Sequence, residues 1–178
     1  MITDTIEPVS APPEPKRANL LLHCGSNAVS RGRLAEAPTP GATSTWKPIA
    51  HVHLLQTVEK ALDKSGLQVT GQSHGLSHDG ARYFGLLEVH TTGSETTRVV
   101  GIRNAHDMRF AAGIVAGSSV LICDNLCFAG EIALARKHTT GILRDLPGLA
   151  GEAVNKLGRY WECHEQRIYR YRSVSLSD

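Results

Sequence analysis

Aromatic residues are scarce in this chain, 5% of 178 positions, and it contains no long apolar run. A membrane-spanning helix needs about 18 or more consecutive apolar residues, so none is expected. The opening residues, Met1 to Glu7, lack a basic stretch backed by an apolar one, so no secretory leader is expected. A cytoplasmic location follows as the expectation, with the four cysteines present as thiols rather than disulfides. Several catalytic signatures are missing too. There is no Gly-x4-Gly-Lys-Ser/Thr phosphate loop, no dinucleotide fingerprint, no Gly-x-Ser-x-Gly elbow and no His-Glu-x-x-His. These absences weigh against an enzyme, and no cofactor is expected. Charge of one sign is also lacking. The formal balance is only +2, too small to argue for nucleic acid by itself.

What remains is the composition of a globular chain, 41% apolar and 20% charged, long enough for one domain with its own core. Residues 1–18 are rich in Pro, Glu and Thr and read as a flexible tail. Residues 25–48, with Pro38-Thr39-Pro40-Gly41 at their centre, read as an extended arm. The expected division is therefore a tail and arm over 1–48 and a single domain over 49–178.

Within that domain Val52, Leu55, Val58, Ala61 and Leu62 recur at helical spacing, with Gly66 as a stop. The period then changes. Leu67 and Val69, Tyr83 to Val89, and Arg98 to Arg103 read as strands, with turn signals at His78-Asp79-Gly80 and Thr92-Gly93-Ser94. Short turns of this kind join antiparallel neighbours. Met108, Ala111, Ala112 and Val115 suggest a short helix over 107–116, and Ser118 to Cys123 a buried strand. Glu131 to His138 reads as helical, and Leu149 to Ile168 as a long amphipathic helix. The alternation from Tyr169 onward reads as a strand or ordered tail. Helices on one face of a mostly antiparallel sheet give an α+β fold.

Three short elements, Asn104-Ala105-His106-Asp107, the run Ala111 to Ala116, and Cys123-Asp124-Asn125, resemble those of the DUF932 family of phage- and plasmid-associated proteins. The resemblance extends over about residues 50–165. It implies a role connected with mobile elements and, through that association, with DNA. The order of helix, strand meander and helix is also similar to Rad52-type single-strand annealing proteins, which implies assembly into a homo-oligomer.

His106 is a candidate acid, base or phosphate contact. Asp107 is its candidate orienter, and otherwise a helix cap. Cys123 and Cys127 have a spacing that zinc sites tolerate, but no second pair completes a ligand set, so no metal is expected. Catalysis would require His106, Asp107 and Cys123 to converge. Residues 136–178 carry eight basic and five acidic side chains, against five and seven over 61–135. Arg159, Arg167, Tyr169, Arg170, Tyr171 and Arg172 interleave guanidinium groups, which contact phosphates, with rings on which bases stack. With Arg103, Asn104 and His106 at a sheet edge, they make single-stranded DNA the leading expected partner. A protein-interaction module without nucleic acid is the alternative.

Overall fold

The computed structural model describes residues 20–90, 98–117, 121–125 and 128–172. The expected turn at Thr92-Gly93-Ser94 and the thiol of Cys127 lie outside the described residues.

The elements, in chain order, are β1 (Leu20–Leu21), β2 (Asn27–Val29), α1 (Arg31–Ala35), α2 (His51–Lys64), β3 (Gln68–Leu76), β4 (Arg82–His90) and β5 (Arg98–Ala105). After them come β6 (Ala112–Gly117), β7 (Leu121–Cys123), β8 (Phe128–Ala129), β9 (Ile132–Arg136) and α3 (Ile142–Arg172). Six strands form one sheet in the order β2-β3-β4-β5-β6-β9, and every pairing in it is antiparallel. Helices α2 and α3 pack on one face, giving the α+β architecture. The opposite face carries a smaller sheet, β1-β7-β8, in which β1 runs parallel to β7.

Strand alternation distributes the core between these two faces. On β4, Tyr83, Leu87 and Val89 join the helical side, with Leu54, Leu55, Val58 and Leu157. Phe84 and Leu86 point the other way, against Val99, Val115 and Ile122. A strand covered on both faces buries all its side chains, so its sequence loses the in–out alternation. That accounts for β6, which the sequence suggested was a short helix over 107–116. All six residues of Ala112–Gly117 are buried, and their helical spacing arises from small apolar residues that suit either face. The Glu131 to His138 segment is likewise a strand, β9, which pairs Ile132 to Arg136 against β6.

The arm expected over 25–48 is built into the fold. It supplies β2 and α1, whose Leu34 is 1% exposed. Ser30 caps α1 by accepting from the Arg33 N–H, and Arg31 pairs with Glu59 of α2.

Helix α2 ends where Gly66 predicts. Gly66 has φ +71, its N–H reaches the Asp63 carbonyl, and the Leu67 N–H reaches Leu62, the paired bonds of a Schellman stop. The long helix starts seven residues before the expected Leu149 and passes through Pro147. Proline removes one i→i−4 bond, here to the Leu143 carbonyl. Burial of Ile142, Leu146 and Ala150 against the sheet holds the first turns in place. At the other end α3 continues helically to Arg172, so the Arg/Tyr alternation is not a strand.

Candidate functional site

The C-terminal end of β5 and the start of α2 place three polar residues together, His51, Asn104 and His106. Pro48 and Ile49 lead the chain into α2, whose first residue is His51. His51 is 1% exposed, and its Nε2 lies 3.0 Å from the carbonyl of Gly80 in the β3–β4 turn. Gly80 has φ +69, which a side chain would disfavour, so the turn that presents this carbonyl depends on glycine. Asn104, wholly buried, donates from Nδ2 to the Ile49 carbonyl at 2.8 Å and stands 3.0 Å from His51 Nδ1. His106 Nε2 lies 2.8 Å from the same carbonyl, and its ring stacks on His51 with centroids 3.9 Å apart.

Burial holds His51 neutral. Its pKa falls from the usual 6.5 to about 3, first through desolvation and then through His106 beside it. His138, at the end of β9, is 5% exposed and falls to about 4 for the same reasons in the same order. Neither ring nitrogen of His138 has a hydrogen-bond partner among the described residues, and neither do Asn104 Oδ1 and His106 Nδ1. Buried polar atoms are seldom left unpaired, which sets this group apart from an ordinary core.

His138 also lines an open cleft of about 640 Å³, together with Trp46, Arg103, Met108, Arg109, Phe110 and Lys137. Trp46 stacks on the His138 imidazole with ring centroids 6.2 Å apart. Arg103 lies between the rings of Phe110 and Phe128, at 5.0 and 4.4 Å from their centroids, and its Nε finds no acceptor among the described residues. Desolvation lowers the Arg103 pKa. No carboxylate lines the cleft among the described residues. Met108 at its rim has φ 62, a left-handed conformation that costs a non-glycine residue on the order of 1 kcal/mol or more.

The expected site residues separate into three places. Asn104 and His106 face the helices and act as buried struts. Arg103, one position away on the pleat, faces the opposite side. None of them stands at a sheet edge, because β5 lies between β4 and β6. Asp107 caps no helix. It accepts from Arg82 Nε at 2.7 Å and from the Arg109 N–H at 3.1 Å, turned away from His106's partner at Ile49. Cys123 lies in the three-stranded sheet beside His23, so His106, Asp107 and Cys123 do not share one site.

Arg159, Arg167, Tyr169, Arg170 and Tyr171 are exposed along the last turns of α3, the tyrosines at 76% and 72%. The side chain of Arg172 lies outside the described ones. This stretch is remote from the cleft along the sheet. Trp161, the last buried residue of α3 among the described side chains, sits under Arg98 at the start of β5, while the cleft is at β5's end.

Reading the sequence alone missed His51, His138 and Trp46 as members of one group. Nothing local marks Trp46, which lies in a segment without regular structure. Comparison of the chain with protein-family models, with curated proteins and with solved structures finds no match to any of them.

Proposed function

We propose that the chain binds single-stranded nucleic acid, with the cleft around His138 as its principal contact. The observation that carries this reading is the cleft's lining: exposed Arg109 and Lys137, the rings of Trp46 and Phe110, and no carboxylate among the described residues. Cations beside flat rings suit a ligand that alternates phosphates with bases, because rings accept any base by stacking while guanidinium and ammonium groups hold the backbone. His138, buried with two unpartnered nitrogens, offers a donor or acceptor to a base edge or sugar hydroxyl. The exposed arginines and tyrosines of α3 give a second, separate contact of the same chemistry. A role in mobile-element recombination or maintenance would use this binding.

The test is fluorescence anisotropy with labelled single-stranded and duplex DNA over a salt series. Binding to the single strand is expected to be saturable and to weaken steeply with salt. Arg109→Ala and Lys137→Ala should each flatten the logarithmic salt slope by about 0.7, the share of one released counterion per phosphate on a single strand. Trp46→Ala should weaken binding by about 1–3 kcal/mol at every salt concentration. Absence of saturable binding by folded protein at low salt, or equal binding by all three variants, overturns the reading. His106→Ala is not a contact variant, since its ring is a buried strut.

A second reading, association between copies of the chain, is favoured by Tyr169 and Tyr171, exposed aromatic side chains on a helix end that runs past the core. Light scattering at tens of micromolar separates a monomer from an oligomer.

A further inference from the structure

We propose that His23, Cys123 and Asp124 form a binding site for a divalent transition ion of the zinc class. The proposal is independent of the nucleic-acid reading. It departs from the sequence-based expectation of no metal because that expectation paired Cys123 with Cys127, four positions along, whereas the fold sets it against His23, 100 positions back.

The parallel pairing of β1 with β7 sets Leu21 beside Cys123 and delivers the next residues, His23 and Cys24, to the end of β7. Asp124 fixes that junction. Its Oδ1 accepts from the His23 N–H at 3.0 Å, and its Oδ2 from the N–H groups of Cys24 and Ser26 at 2.7 and 3.1 Å. Three such bonds fix the position and orientation of the carboxylate. Each carboxylate oxygen has two acceptor sites, and the second site of Oδ1 accepts from the Cys123 thiol, whose proton a metal would displace.

The three donors already stand near the spacing a tetrahedral ion requires. Donor atoms about 2.0–2.3 Å from zinc lie roughly 3.3–3.8 Å from one another. Cys123 Sγ is 3.5 and 3.6 Å from the two ring nitrogens of His23 and 3.8 Å from Asp124 Oδ1, and His23 Nδ1 is 4.0 Å from that oxygen. All three donor atoms lie within 4.8 Å of one another. The His23 side chain is 59% exposed, so its ring can turn to aim either nitrogen while the other two donors stay buried. Cys24, the next residue after His23, is exposed and is held to Asp124 through its backbone N–H.

Donor type narrows the ion. A thiolate with an imidazole and one carboxylate is soft to borderline and selects zinc or cobalt over magnesium or calcium, which take oxygen shells. Binding replaces the Cys123 thiol proton, which leaves to solvent as the thiolate–metal bond forms.

The experiment titrates cobalt(II), and separately zinc, into the reduced full chain. One cobalt per chain with a thiolate-to-metal charge-transfer band in the near ultraviolet is expected, displaced by zinc, with a metal-dependent rise in the melting temperature. His23→Gln, at an exposed side chain, and Cys123→Ser should each abolish the band while circular dichroism stays that of the parent. Cys163→Ser, on α3, should leave it unchanged. No stoichiometric binding, or binding kept in either His23→Gln or Cys123→Ser, overturns the proposal. Should Cys123→Ser fail to fold, His23→Gln alone decides it.

Discussion

Lowering the pH from 7.5 to 5 should unfold this protein at much lower denaturant, and three histidines set the size of the effect. His51, His74 and His138 each have a folded pKa well below the ordinary 6.5, at about 3, 4 and 4, with desolvation the leading cause in every case. His74 is 5% exposed on β3, its Nδ1 lying 3.1 Å from the buried hydroxyl of Tyr83. Above pH 6.5 all three are neutral in both folded and unfolded chains and cost nothing. As pH falls through 6.5 the unfolded chain takes up protons that the folded chain refuses, so stability drops until pH reaches the folded values. At pH 5 each contributes a loss of about 2 kcal/mol, about 6 kcal/mol together, against a typical domain total of 5–15 kcal/mol.

The carboxylates cannot produce this. Asp79, Asp124 and Asp145 have lowered pKa values, so their stabilisation is complete above the ordinary 3.8 and is lost only below it. Urea midpoints at pH 7.5, 6.5, 5.5 and 5.0 measure the effect. His138→Gln should remove about a third of the drop. A midpoint that is flat to pH 5 and falls only near pH 4 would refute the histidine account.

Other outcomes follow from packing and hydrogen bonding. Trp161→Ala, which empties the site under Arg98 and removes a residue 2% exposed, should cost about 3–5 kcal/mol in chemical denaturation. Gly85→Ala would press a methyl group into the Tyr83 hydroxyl and push that ring off His74, lowering the thermal midpoint by the equivalent of about 1–3 kcal/mol. Asp124→Ala strips three backbone N–H groups of their acceptor and should destabilise by about 1–3 kcal/mol, with proteolysis appearing first in the 20–29 segment. Tyr169→Ala and Tyr171→Ala should leave stability within about 0.5 kcal/mol of the parent.

The sequence showed those parts of the fold whose signals are local. α2 was legible from its apolar stripe and glycine stop, and the β3–β4 hairpin from the Asp79-Gly80 turn. What stayed hidden depends on long-range burial. β6 lacks alternation because both of its faces are covered, and the back layer of the sheet forms from segments about a hundred residues apart. The candidate site behaves similarly. Asn104 and His106 stood out as polar residues at a strand end, but their pleat position, which turns them inward and Arg103 outward, required the register of β5. His138 and Trp46 became neighbours only once β9 had been placed beside β6.

The β1–β7 pairing also bears on the order of folding. The first described strand has to wait for residues 121–123 before it can be joined, so the layer over Phe84, Leu86, Val99 and Val115 closes only after most of the chain has left the ribosome. Contacts of such high sequence separation form late and slowly. In the interval the meander β3-β4-β5-β6 is covered by helices at most on one side and presents bare aromatic and aliphatic surface on the other. A chain shortened to begin after residue 26 would keep the six-stranded sheet with that surface permanently open. It should aggregate on synthesis even though every residue of α2, α3 and the main sheet is retained.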